Sequence, residues 1–317
     1  MGALCVVAVA AIADAIRKPS GEGRAGRDQA VERLRAAGLT GTLVFSGNEC
    51  RLRAVRLPAL APVAFDDARA CRFSIARDGR LTIGDAVPQP GGPFRAWCRD
   101  GWVELAARGG SSLPFTRLYR FSGCGPAWKP SGVLTYVREG ELVELRMGCG
   151  GGGFCTRVLL SAEDVRRSLG RAALVEVAWL DDATLGAIAR EASSRRYALA
   201  IFERGRLRAL ARFGADRLSG IRASPRGTYL AVRRGEAGRV VILERSLRPV
   251  PLPAPLRAAR AIAWSPDERW VAAAAGDDLL LSPLPQGDAD PIRVPLAAFD
   301  VAWHRETAQA YPLPGSS

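Results

Sequence analysis

From Thr42 onward, apolar residues recur at every second position in short runs separated by Pro, Gly, Ser and Asp. A period of two over such brief runs predicts strands, and the intervening residues pre-set tight turns. The cleanest copy is residues 260–284, RAIAWSPDERWVAAAAGDDLLLSPL. It reads as a strand ending in Trp264, a Ser265-Pro266-Asp267 turn, a strand over 270–275, a Gly276-Asp277-Asp278 turn and a third strand over 279–281. Ahead of Thr42 the period is different. Residues 28–37, DQAVERLRAA, carry an apolar stripe at helical spacing and end at Gly38, which predicts a helix.

The strand-turn unit recurs. The position of Trp264 is matched by Ile75, Trp128, Trp179, Ala223 and Trp303. Successive spacings from Ile75 are 53, 51, 44, 41 and 39 residues, against about 40–45 for a four-stranded propeller blade. The two longest gaps hold insertions at 85–93 and at 147–171. The second includes a glycine-rich loop between Cys149 and Cys155 and a helix over 161–169 with a Ser161/Asp164 capping pattern. In the first unit, 94–98 and 102–106 supply the outer strands. The sixth unit has only 299–303 and 308–311. A spare hairpin, 42–46 with 50–57, precedes the first unit. Two strands from each terminus would complete one blade and remove the free edges of an open row. The expected fold is therefore all-β, a six-bladed propeller over 28–317 with a leading helix, closed by the N-terminal hairpin. A β-sandwich would explain the alternation but not the returning Trp-turn position. A tryptophan repeated in unit after unit has a packing reason in each, so Trp128, Trp179, Trp264 and Trp303 are read as wedges between adjacent blades near the starts of inner strands.

The turns AWKPSG (127–132), ASPRG (223–227) and AWSPDE (263–268) resemble the repeats of WD40-like and TolB-like β-propeller proteins of the bacterial envelope. The third unit departs from them with LDDAT (180–184), and the first with ARDG (76–79). The resemblance spans 42–311 and implies a protein-binding or scaffolding role, although some propellers of this shape are enzymes. Arginine-rich, lysine-poor composition and the cysteine set are similar to envelope propellers of high-GC Gram-positive bacteria.

Seven cysteines change the picture further. Cys5 lies in an apolar N-terminal stretch, leaving six, with no C-x2-C pair and His304 as the only histidine. Zinc is poorly served by that set, and three disulfides in an oxidising compartment account for it better than buried thiols do. Pairing neighbours gives Cys50–Cys71, Cys98–Cys124 and Cys149–Cys155, although sequence permits other connectivities. Residues 3–16 are apolar apart from Asp14, too short for a standard span and without a basic leader. They read either as part of a signal or anchor segment, hence a possible membrane tether, or as a short amphipathic helix. Residues 17–27 read as a linker. The expected location is extracytoplasmic, anchored or secreted, and the expected state a monomer.

The net charge is +13, and Lys18 and Lys129 are the only lysines. No zinc-finger spacing, aromatic-flanked basic patch or long basic helix supports nucleic-acid binding. No phosphate-loop pattern appears, and GCGGGGFC (148–155) reads as a disulfide-closed loop. The acid pairs Asp66/Asp67, Asp181/Asp182 and Asp277/Asp278 sit in turns and cap backbone amides, and no calcium loop is present. No cofactor or metal is therefore expected. Arginines that enter the inner strands, Arg69, Arg72, Arg217, Arg222, Arg257 and Arg260, would gather at one mouth of the channel and focus field on an anionic partner, either another protein or an anionic envelope component. The alternative is a propeller hydrolase or lyase, in which His304 would serve as a base in a central cleft with Asp300 nearby.

Overall fold

The computed structural model describes residues 21–63, 69–75, 81–107, 116–149, 153–191, 193–285 and 290–305. Helix α1 (Gly21–Ala36) leads into strands β1 (Gly41–Ser46), β2 (Leu52–Leu57) and β3 (Ala61–Val63). A separate hairpin follows, β4 (Phe73–Ile75) with β5 (Leu81–Ile83). The next sheets are meanders: β6 (Val87–Pro88), β7 (Phe94–Arg99), β8 (Trp102–Ala107) and β9 (Thr116–Ser122), then β10 (Cys124–Trp128), β11 (Leu134–Arg138), β12 (Glu141–Cys149) and β13 (Gly153–Leu160). After helix α2 (Ala162–Leu169) come β14 (Ala172–Trp179), β15 (Thr184–Glu191), β16 (Tyr197–Glu203) and β17 (Arg206–Gly214). Strands β18 (Leu218–Ala223), β19 (Tyr229–Arg234), β20 (Arg239–Glu244) and β21 (Pro249–Val250) form the fifth sheet. Beyond the one-turn helix α3 (Ala254–Arg257), β22 (Ala261–Trp264), β23 (Trp270–Ala275), β24 (Asp278–Pro283) and β25 (Ile292–Val294) form the sixth. The last described strand, β26 (Asp300–His304), returns to pair antiparallel with β1, Leu43 opposite Trp303. Sheet 1 is thus β26-β1-β2-β3, and sheets 2 to 6 follow in chain order, with the hairpin between sheets 1 and 2.

Six four-stranded sheets match the number of expected units, but the units at the two ends are assembled differently. Sheet 1 takes one strand from the C-terminal segment and three from the N-terminal segment, not two from each, and 308–311 lies outside the described residues. The unit centred on Ile75 is split. Its first two strands form the lone hairpin, while 94–98 and 102–106 belong to sheet 2, whose innermost strand is the two-residue β6. That strand was hidden within the 85–93 insertion, where Pro88 and Pro90 break any alternating signal. Helix α1 also starts earlier than Asp28, so residues 21–27 are not linker. Arg24, Ala25 and Arg27 favour helix, and Arg27 is anchored by donating to the Leu60 carbonyl at 2.8 Å. Residues 3–16 lie outside the described residues, as do Asp66 and Asp67. Among the described residues no helix is long and apolar enough to cross a membrane.

Apolar side chains of successive sheets interleave. Phe45 and Val301 meet Leu281 between sheets 1 and 6, where Ala30 and Leu34 of α1 cover the seam. Tyr136 and Val143 pack on Val103 and Leu105 between sheets 3 and 2, and Leu230 and Val232 on Ile188 and Leu199 between sheets 5 and 4. Each such side chain contributes roughly 1.5–3 kcal/mol by leaving water. The hairpin packs on sheet 1 through Phe73, Val44 and Ala54. No apolar cluster among the described residues joins it to sheet 2. The space there belongs instead to a central cavity, walled by all seven sheets.

Candidate functional site

The innermost strands set up two ends. At the end where they stop, the repeated turn is built from its own side chains. Ser265 donates its amide to the Trp270 carbonyl at 2.9 Å, its hydroxyl oxygen accepts from the Trp270 amide at 2.9 Å, and its hydroxyl hydrogen goes to Asp267 at 2.6 Å. Ser224 makes the first two of these bonds with Tyr229. In the LDDAT copy, Leu180 stands in the serine's place and makes the backbone bond to the Thr184 carbonyl at 2.9 Å, while the next residue, Asp181, accepts from the amides of Ala183 and Thr184 at 2.9 and 2.7 Å. These amides and Arg245, 2.9 Å away, outweigh the effect of partial burial and hold the Asp181 carboxyl below its usual range. Neighbouring turns are bonded to one another. Gln89 donates to the Gly132 carbonyl at 2.7 Å, the Ser131 amide to Asp182 at 3.0 Å, and the Arg226 amide to Glu268.

The four tryptophans stand at this end, where the innermost strands stop rather than start, and they do wedge between sheets. Trp179 donates to the Thr135 hydroxyl of sheet 3 at 2.7 Å, and Trp128 to the Val87 carbonyl of sheet 2 at 2.8 Å. Trp264 stacks on Tyr229 of sheet 5 with centroids 5.8 Å apart. Trp303 packs among sheet 6 alanines and donates to the Thr40 carbonyl at 3.0 Å.

At the opposite end, where the innermost strands begin, the cavity opens among arginines. Its volume is about 1760 Å³. Four of the six arginines picked out in the sequence line it: Arg72, Arg217, Arg222 and Arg260. Arg69 and Arg257 do not. Arg69 is bridged to Arg51, beside β2, and Arg257 closes α3, which packs against β20 and β23. Three arginines not anticipated from the sequence complete the wall, namely Arg190, Arg195 and Arg233. They lie on the second strands of their sheets and in the β15–β16 turn. A meander returns such positions to the end where the innermost strand begins, and the doublets Arg195-Arg196 and Arg233-Arg234 beside those turns were the available signal.

Arg233 donates to the Arg260 carbonyl, and the Arg260 guanidinium lies 5.1 Å over the Phe299 ring. Burial, and then the charges of Arg222 and Arg72, lower the Arg233 guanidinium from its ordinary range, with Asp300 opposing. Asp300 is buried in the same wall, at the start of β26. Its two oxygens accept from the Phe73 amide at 3.2 Å and the Val301 amide at 3.0 Å. Burial raises its carboxyl above the usual range despite Arg222, Arg233 and those amides. The other acids of the wall are mostly engaged. Asp85 pairs with Arg72 at 3.0 Å, Asp216 with Arg234 at 2.7 Å, and Glu176 accepts from the amides of Gly220 and Ile221 at 2.7 and 3.2 Å. Glu236 makes no ion pair among the described residues, and neither do Arg190, Arg195, Arg217 and Arg222. Such guanidinium forks suit carboxylate or phosphate oxygens.

His304 is buried in β26 opposite Thr42 and is not part of the cavity wall. The central-cleft base envisaged for a hydrolase is therefore not where that chemistry needs it. The cysteines are joined as Cys50–Cys71, Cys98–Cys124 and Cys149–Cys155. The first links sheet 1 to the hairpin and the second links sheet 2 to sheet 3, both at the arginine end. Among the described residues no group of three or more His, Cys, Asp or Glu could hold a metal ion.

The chain is similar to apo AztD from Citrobacter koseri, 11% identical with a TM-score of 0.54 over 84% of this chain and 98% of that one. The fold is a β-propeller. Weaker likenesses are to the Cps50 (Swd1) β-propeller domain of Myceliophteria thermophila (15% identity, TM-score 0.46, 84% of this chain and 91% of that one) and to the Dos1 propeller (12% identity, TM-score 0.45, 85% and 73%). No family model and no curated protein matches the chain. At these identities the likeness concerns the propeller alone, so the reading of its mouth rests on its own residues.

Proposed function

We propose that this propeller is an extracytoplasmic binding protein of the bacterial envelope that docks an anionic partner at its arginine-lined mouth. The observation that carries the reading is the gathering of seven arginines from the hairpin and sheets 4 to 6 around one cavity, six of them without an ion pair among the described residues. Three disulfides support an oxidising location. In this reading the six four-stranded sheets and the hairpin form a closed ring in a monomer, and residues 3–16 serve as leader or tether. The arginines are the recognition groups, and the propeller acts as a binding or scaffolding module of the TolB-like kind.

The test compares two double variants that lose the same charge. Labelled polyglutamate is titrated into the oxidised chain at moderate salt. Arg217→Ala with Arg222→Ala should weaken binding about tenfold or more, whereas Arg69→Ala with Arg257→Ala should change it by less than about threefold. Equal losses from the two would reduce the effect to bulk charge and overturn the proposal.

A further inference from the structure

The wall of the cavity is divided into two sectors. Sheets 4 to 6 supply Arg190, Arg195, Arg217, Arg222, Arg233 and Arg260. The remaining arc, formed by sheet 1, the hairpin and sheets 2 and 3, supplies Phe299, Phe73 and Ile75 toward the mouth and, deeper, Val87 and Pro88, where the Val87 carbonyl meets Trp128, with its one arginine, Arg72, held by Asp85. Single exposed apolar residues are ordinary, but apolar side chains lining one wall of a cavity whose other wall is charged mark a surface for an amphipathic partner. Phe299 is 40% exposed and Val87 36% exposed, and both line this arc. Arg260 over the Phe299 ring marks one boundary between the sectors.

We infer that the ligand is an acidic peptide segment of a partner protein, amphipathic, with carboxylates along one side and apolar side chains along the other. The inference rests on the anion-binding reading and narrows it. A bare polyanion would satisfy the guanidinium groups and leave Phe299 and Val87 in water. A small metabolite would underfill a cavity of about 1760 Å³, since small-molecule pockets run to roughly 300–1000 Å³. An amphipathic segment covers both arcs at once. Its carboxylates meet the arginines of sheets 4 to 6, and its apolar residues cover Phe299, Ile75 and Val87. Polyphosphate and other non-peptide polyanions match only the first half of that surface.

The experiment uses the full oxidised chain and five labelled probes. Two are short Glu/Leu peptides of about two heptads, one patterned with helical spacing and one with alternating spacing. The third is a scrambled peptide of the same composition, and the last two are polyglutamate and polyphosphate of equal charge. At least one patterned peptide should bind about tenfold more tightly than the scrambled peptide and than either bare polyanion. Phe299→Ser combined with Val87→Ser should erase that preference while leaving polyglutamate binding within about twofold. The Val87 carbonyl that holds Trp128 is backbone and survives the change. If polyphosphate or polyglutamate binds as tightly as the patterned peptides, or if the serine variant keeps the ranking, the peptide inference is overturned and anion binding stands. If no probe binds, the anion-binding reading itself falls.

Discussion

At the end of the propeller where the innermost strands stop, polar groups are answered within the protein. Serine and aspartate side chains close the turns, neighbouring turns bond to each other, and Lys129 and Arg146 meet Glu144 at 2.7 and 2.6 Å. At the end where those strands begin, guanidinium groups outnumber the acids, six of the seven cavity arginines lacking an ion pair among the described residues, and two disulfides stand where the other end has hydrogen-bonded turns. Carboxyls register the contrast. Asp181, Asp267 and Glu144 at the turn end are held below their usual range by donors that outweigh burial, while burial raises Asp300 at the arginine end. One end uses its polar chemistry to hold neighbouring sheets together. The other keeps charge in reserve, which is the condition for meeting a partner.

Two glycines with nearly the same backbone angle give the strongest way to break this comparison. Gly227 at the turn end has φ 72°, and an added Cβ would lie 2.0 Å from the Leu180 carbonyl oxygen of the neighbouring sheet. Gly235 at the arginine end has φ 73° and nothing within 4 Å of that position. Gly227→Ala should cost about 4 kcal/mol, because turn and neighbour must part as well as strain. Gly235→Ala should cost only about 1 kcal/mol, the left-handed penalty by itself. Urea denaturation of both variants checks the difference. Equal losses would mean that the turn-to-turn packing contributes nothing beyond backbone conformation.

A second test removes what holds the arginine end. Replacing Cys50 and Cys71 by alanine opens a crosslink spanning 21 residues and should cost about 3 kcal/mol, against about 2 kcal/mol for the Cys149–Cys155 pair, whose separation is 6. The loss should also be local. Amide exchange should quicken at Phe73–Ile75, which has no apolar cluster toward sheet 2 among the described residues, while 180–184 and 224–229 in the turn belt keep their protection. Uniform acceleration across the sheets would show that the two ends are not separately held.

The same division explains what could be read from the chain. Ser, Pro, Asp and Gly at fixed offsets from an apolar run specify a turn locally, so the turn end was legible down to the function of Asp181. The tryptophans were legible as wedges because a packing requirement repeats. The innermost strand of sheet 2 was not, since β6 is two residues long, contains Pro88 and is followed by Pro90, so it carries no periodicity, and missing it joined the hairpin to the next strands in one unit. The arginine mouth was half legible. Arg72, Arg217, Arg222 and Arg260 precede or occupy innermost strands. Arg190, Arg195 and Arg233 reach the cavity only through the return of a meander, and Arg257 was drawn away by α3, whose buried Leu256 packs beneath sheets 5 and 6. Tertiary convergence of a common residue has no local signature.

The smallest effect comes from the charge cluster of the turn end. Glu144 is 4% exposed and takes both Lys129 and Arg146. Burial alone would raise its carboxyl, but the hydrogen bonds from Lys129 and Arg146 win, so it is lowered in the folded protein. A carboxyl lowered by folding contributes stability that is fully present above its unfolded pKa of about 4.3, and that is lost as pH falls through the lower folded value. Glu144→Gln keeps the shape and removes the titration. It should cost about 2 kcal/mol at neutral pH, where Lys129 is left facing a neutral amide. The gap between wild type and variant should stay level down to about pH 5 and close progressively below about 4.3. Urea midpoints at pH 7, 5 and 3 read this directly. A gap unchanged at pH 3 would mean that packing, not charge, accounts for Glu144, and that the turn end resembles the arginine end more closely than its ion pairs suggest.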